Sequence, residues 1–124
     1  MKAADYQKQA MRTNDGKCKE RLDYKLSLNM TTDLGQVINA CLGLSGEVGE
    51  LNDMVKKFIY HQTPMDEIHF MKEIGDVCWY LALICDACGY DLGRIMEMNI
   101  EKLKNRYPEG FDVVKANNRR DDDV

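Results

Sequence analysis

From Asp33 to Leu103 the apolar residues recur at helical spacing, and no strand-like alternation of any length appears; this constrains the fold more than any other feature. Leu34, Val37, Ile38, Cys41, Leu42, Ser45 and Val48, followed by Leu51, Met54, Val55, Phe58 and Ile59, trace one long helix with Asp33 or Thr32 as its N-cap. His61-Gln62-Thr63-Pro64 breaks it. There Thr63 is the expected cap of a second long helix, with Pro64 at its first position and Asp66 at its third, close to a capping box. This helix carries Ile68, Met71, Ile74, Val77, Cys78, Leu81, Ala82, Ile84 and Cys85, and Gly89 ends it. Asp91 is placed to cap a third helix through Leu92, Ile95, Met96, Met98, Ile100 and Leu103, stopped by Tyr107-Pro108-Glu109-Gly110. Ahead of them, DYQKQAMR predicts a short helix, Asn14-Asp15-Gly16 a turn, and the rest of residues 1–30 an irregular segment. Residues 117–124, with Arg119-Arg120 against Asp121-Asp122-Asp123, predict a disordered, solvated tail. The expected fold class is all-α, a helical bundle with two long antiparallel helices.

A chain of 124 residues and 14.3 kDa is expected to form a single domain, 1–124, with 44% hydrophobic residues to build a small core. A helical domain of this size gains by hiding one face in an oligomer, which predicts a homodimer or homotetramer. A net charge of −4 excludes a general nucleic-acid binder, since that function depends on a basic surface. No basic-then-apolar leader opens the chain, and no apolar run approaches the roughly 20 residues that cross a bilayer, so no membrane association and a cytoplasmic protein are expected. Five cysteines (Cys18, Cys41, Cys78, Cys85, Cys88) in apolar helical patterns suit buried free thiols in a reducing compartment. Cys85 and Cys88 form a C-x-x-C, with no second pair to complete a zinc site. Met54, Met65, Met71, Met96 and Met98 are expected to fill core and interface.

The chemistry lies in four acids. Glu47 and Glu50 stand three residues apart on the first long helix, and Glu73 and Asp76 repeat that spacing on the second, so each pair shares a helix face. Their neighbours are glycine and apolar residues, which points the acids at something other than bulk water. Antiparallel packing lets the two pairs face each other, and four converging carboxylates repel unless cations sit between them. Hard oxygen ligands in this number suit Mg²⁺ or Mn²⁺. A single E-x-x-E pair is more often a solvated helix face; two pairs on adjacent helices, each beside a glycine, shift the balance. A di-iron carboxylate bundle wants E-x-x-H motifs, which are missing. His69, one turn before Glu73, can approach the acids as a ligand or base, or lie partly exposed along its helix. Gly43, Gly46 and Gly49, every third residue of the first long helix, each cost a helix interior roughly 1 kcal/mol relative to Ala, and so predict close approach by another helix or a ligand.

Glu47-Val48-Gly49-Glu50, 22 intervening residues, then Glu73-Ile74-Gly75-Asp76 followed by VCWYL, resembles the signature of the MazG-like all-α nucleoside triphosphate pyrophosphohydrolases. The segment NIEKLKNRYPEGF resembles the N-x-x-K-L-x-x-R-Y-P ending of that family, and the similarity spans residues 34–112. The resemblance implies a helical bundle, dimeric or tetrameric, with sites close to subunit interfaces. It implies Mg²⁺ held by Glu47, Glu50, Glu73 and Asp76, and hydrolysis of a nucleoside triphosphate to monophosphate and pyrophosphate, often to clear surplus or non-standard nucleotides. Small phage- and prophage-encoded members are common. Asn99 and Lys102, one turn apart, would face sugar and phosphates, with Arg106 a further cation. Tyr80 lies where a base can stack, whereas Trp79 points to the neighbouring side, towards core or interface. Lys56 or Lys57, beyond Glu50, is a further candidate phosphate contact. No glycine-rich phosphate loop is present, so metal and side chains must hold the triphosphate.

The alternative is a non-catalytic nucleotide-binding, interaction or regulatory module of the same fold. The four acids together with Asn99 and Lys102 weigh against it, and pyrophosphate release separates the two. Base and sugar preference depend on pocket shape and are not legible in the sequence.

Overall fold

The computed structural model describes residues 1–118. The described residues form six α-helices: α1 (Ala3–Ala10), α2 (Cys18–Ser27), α3 (Leu34–Tyr60), α4 (Glu67–Cys88), α5 (Leu92–Arg106) and α6 (Val113–Asn117), with a short 3₁₀ turn at Met11–Thr13 after α1. No strand occurs among them, as the all-α expectation requires. At 27 residues α3 is about 40 Å long, from a rise of about 1.5 Å per residue.

Side-chain caps start the long helices. Asp33 Oδ1 accepts from the backbone N–H of Gln36 at 2.9 Å, and Asp91 Oδ1 from that of Arg94 at 3.1 Å, both as expected. The start of α4 is a correction: its cap is Asp66, whose Oδ1 accepts from His69 N–H at 2.9 Å, rather than Thr63. Thr63 N–H instead donates to the carbonyl of Lys57, and Gln62 takes a left-handed φ of 54°, so the chain is still leaving α3 where the earlier start was expected. Gly89, at φ 68°, ends α4 in a Schellman motif: Tyr90 N–H donates to the Cys85 carbonyl and Gly89 N–H to that of Asp86.

The helix α2 lies where an irregular segment is expected, and the short α6 lies mostly in a stretch for which the sequence carries no expectation. α2 has no strong apolar stripe; its start is organised by Asp15, which accepts from Lys17 N–H and pairs with Arg21, and by the Lys19–Asp23 pair one turn apart. α6 is capped by Asp112, whose carboxylate accepts from Lys115 N–H at 3.0 Å. Of the expected tail, Asn117 closes α6, while residues 119–124 lie outside the described residues.

α3 and α4 pack antiparallel along their length, and their partners move down one helix as they move up the other. Asp33 N–H donates to the Ala87 carbonyl, and Gln36 Nε2 to the Leu83 carbonyl and to Asp86 Oδ2 at 2.8 Å. Further along, the ring of Tyr80 lies on Gly43, where a Cβ would meet its Cε1 at 2.1 Å. Gly46 and Gly49 instead face open space. The α5 helix, though amphipathic, makes at most passing contact with this hairpin.

The hydrophobic core of the described chain is accordingly small: Ala40, Cys85 and Ala87. Leu42, Ile68, Met71, Trp79, Met96 and Met98 are exposed. The cysteines are all free, but the expected burial holds for Cys85 alone; Cys88 is half-buried and Cys18, Cys41 and Cys78 are exposed, because nothing among the described residues covers their helix faces. The chain exposes 10541 Å², against about 6,800 Å² for a compact monomer of 14.3 kDa. No described helix is long and apolar enough to cross a membrane.

Candidate metal centre

The antiparallel register of α3 on α4 places the two acidic pairs opposite each other, a little beyond the Gly43–Tyr80 contact. One carboxylate oxygen from each of Glu47, Glu73 and Asp76 lies within 4.8 Å of the others. Glu50 lies near enough to Glu73 for that group to raise its carboxyl. All four sequence-predicted acids therefore meet on the facing sides of one hairpin.

The surroundings of the acids differ. Glu73 is buried, with 7% of its surface exposed, and its Oε2 has no hydrogen-bond partner. Burying an ionised carboxylate without a partner is costly, and such groups are normally paired or coordinated to metal. Glu47 is half-buried, and Asp76 and Glu50 are exposed. Burial, then the charges of Glu50, Asp76 and Glu73, raises the Glu47 carboxyl above its ordinary value of 4.5. Glu50 is raised first by its hydrogen bond to Glu73 and by that group's charge, an effect the nearby His69 partly offsets. Like charges held this close favour uptake of a proton or a cation.

His69 joins the cluster from the first turn of α4. Its Nε2 lies 2.7 Å from Glu73 Oε1, one turn along the same helix, while its own side chain is 57% exposed. Among the described residues, the group of acids close enough to hold an ion together does not include it. Further along α3, Lys57 Nζ pairs with Asp53 at 2.6 Å and lowers the Asp53 carboxyl below its usual range. That pairing engages Lys57, while Lys56 is exposed on the neighbouring side of the helix.

The other sequence-predicted residues lie outside the acidic cluster. Tyr80 is half-buried against Gly43, with Trp79 edge-on to its ring at a centroid distance of 5.0 Å. Trp79 itself is 57% exposed and forms no part of this chain's core. Asn99, Lys102 and Arg106 are carried by α5, which does not pack along the hairpin. Arg106 lies over the Tyr107 ring at 5.9 Å. The sequence brings His69 towards the acids as a ligand or base, where the structure sets its Nε2 on Glu73 Oε1, and it predicts a close approach at Gly43 without naming Tyr80, because that seating depends on a helix register that no local motif encodes.

A buried carboxylate with an unclaimed oxygen lies within 4.8 Å of Asp76 on its own helix and of Glu47 on the facing one, a group of acids that could hold a metal ion. Residues 36–111, which contain all of it, match the MazG nucleotide pyrophosphohydrolase domain. The chain belongs to the MazG family. Among curated proteins it is similar to the gene 37 protein of Mycobacterium phage L5, 30% identical over 82 residues, which cover 63% of this chain and 72% of the relative. No solved structure matches it. MazG proteins are typically dependent on a divalent metal, and the acids that could hold one fall within the matched residues.

Proposed function

We propose that this protein is a Mg²⁺-dependent nucleoside triphosphate pyrophosphohydrolase that cleaves a (d)NTP to the (d)NMP and pyrophosphate and serves to clear surplus or non-standard nucleotides. The observation that carries the reading is the buried Glu73, whose partnerless Oε2 accompanies a cluster with Glu47 and Asp76 inside 4.8 Å. The donor set fits the ion: all-carboxylate oxygen, with like charges close enough to raise Glu47 and Glu50. Glu47, Glu50, Glu73 and Asp76 would hold it, with Mn²⁺ as the alternative ion. Bound there, the ion supplies charge neutralisation at the phosphates and lowers the pKa of water.

The remaining roles fall to the chain's own groups. A carboxylate of the exposed pair, Glu50 or Asp76, takes a proton from the attacking water as its oxygen bonds to the α-phosphorus. The bond from that phosphorus to the bridging oxygen breaks, and pyrophosphate leaves. Lys102 and Arg106 offset the charge of the phosphates, Asn99 hydrogen-bonds the sugar, Tyr80 offers a ring face to the base, and Lys56 meets the far phosphate.

This reading requires assembly. The chain exposes about 3,700 Å² more than a compact monomer of its mass, surface that further copies of the chain would cover. A homodimer or homotetramer would cover the apolar faces of α3, α4 and α5 and bring an α5, with its Asn99 and Lys102, to the acids.

The experiment is pyrophosphate release from a panel of canonical and modified dNTPs and NTPs, with Mg²⁺, with Mn²⁺ and with EDTA. Metal-dependent release with a monophosphate product is expected. A folded protein that binds Mg²⁺ and releases no pyrophosphate from any nucleotide would refute the reading in favour of a binding module.

A further inference from the structure

The first turn of α4 ties a histidine to the most buried acid of the cluster. Asp66 Oδ1 accepts from the backbone N–H of His69 at 2.9 Å, fixing the turn from which the imidazole reaches forward. The ring Nε2 then meets Glu73 Oε1 at 2.7 Å, one helical turn on. Of the two Glu73 oxygens, the one opposite this contact, Oε2, is buried and has no partner.

A glutamate's terminal torsion is broad, so an unrestrained carboxylate samples many planes. A donor fixed on one oxygen removes that freedom and selects which oxygen remains for another ligand. Carboxylates that bind metals are commonly held this way by a neighbouring hydrogen bond, and losing such a partner typically weakens metal binding about 10- to 100-fold.

We propose that His69 is a positioning residue: its Nε2–H holds Glu73 Oε1 and thereby presents Oε2 to the cation that Glu47, Glu73 and Asp76 enclose. This inference rests on the metal-site reading above and adds a residue to it. His69 itself touches neither cation nor substrate. Its exposed ring and its place outside the ligand-spaced group of acids distinguish it from a ligand. The Asp66 cap belongs to the same device, because it fixes the backbone that aims the ring.

The test is Mn²⁺ binding to the full chain without nucleotide, followed by electron paramagnetic resonance of the free ion, for the wild type, His69→Ala, His69→Gln and His69→Asn. A glutamine amide nitrogen reaches the position of Nε2, whereas that of asparagine matches only Nδ1. Expected is a 10- to 100-fold loss of Mn²⁺ affinity in His69→Ala and His69→Asn, with His69→Gln close to wild type. Metal-free circular dichroism should be unchanged across the series, so that the loss of affinity and its rescue by glutamine are read on a folded chain. Equal Mn²⁺ affinity in wild type and His69→Ala, or a His69→Gln as weak as His69→Ala, overturns the proposal and leaves the metal site standing. A wild type that takes up no Mn²⁺ overturns both.

Discussion

Tyr80 lies on Gly43 so closely that the first carbon of any side chain at position 43 would fall 2.1 Å from its ring. This contact between α3 and α4 lies one turn from Glu47 and one turn from Asp76. The glycine therefore acts through the absence of its side chain, letting an aromatic ring lie against helix backbone. Gly46 and Gly49, the next glycines along α3, have nothing within 4 Å of their missing side chains among the described residues beyond their own helix.

The two kinds of glycine respond oppositely to alanine. Gly43→Ala forces the Tyr80 ring off its seat and is expected to cost about 1–3 kcal/mol, the usual range for overpacking. Gly46→Ala meets open space and gains up to about 1 kcal/mol from helix propensity. Urea denaturation of both variants checks the pair, and a Gly43→Ala as stable as Gly46→Ala would remove the close approach.

Glu47→Gln and Asp76→Asn each remove one charged oxygen donor and leave helix propensity nearly untouched. Pyrophosphate release should fall by at least about 100-fold in each, from the loss of charge stabilisation where the phosphates bind, with far-UV circular dichroism unchanged. Full activity in both variants would remove the acids from the chemistry.

Without metal, the raised carboxyls of Glu47 and Glu50 make the folded chain hold protons that the unfolded chain releases. By linkage, the stabilisation is complete below the unfolded value of about 4.5 and is lost as pH rises through the higher folded values. Thermal midpoints in EDTA should therefore fall with rising pH across that window, and Glu50→Gln should flatten the fall. Added Mg²⁺ should restore the midpoint of the wild type and not that of Glu50→Gln. A wild-type midpoint in EDTA that rises through the same window would contradict the repulsion.

The Asp66 cap should contribute about 1 kcal/mol, as side-chain caps typically do. Asp66→Ala is expected to lose it and Asp66→Ser to keep most of it, measured by chemical denaturation at saturating salt to suppress charge effects. A Thr63→Ala variant should leave stability nearly unchanged, because Thr63 precedes the helix; a loss equal to that of Asp66→Ala would place the helix start earlier.

Much of this was legible from residue types alone. Asp33, Asp91 and Gly89 announce helix ends because capping and left-handed turns are local chemistry, and the spacing of Glu47 with Glu50 and of Glu73 with Asp76 puts each pair on one face whatever else happens. Thr63-Pro64 misled because two good caps lie three residues apart, and the choice between them depends on how α3 unwinds through Gln62. α2 and α6 are held by Asp15, Arg21 and Asp112 rather than by an apolar stripe, so periodicity passes over them. The apolar neighbours of the cysteines predict a core around them, whereas Cys41 and Cys78 lie on faces the described residues leave bare. Tyr80 on Gly43 required the register of two helices, which is a tertiary fact.

A protein whose described apolar interior amounts to Ala40, Cys85 and Ala87 has little cohesion belonging to one polypeptide. On the oligomeric reading, its melting temperature is a property of the solution as much as of the molecule: it climbs with protein concentration, and at high dilution the helices come apart when the copies do.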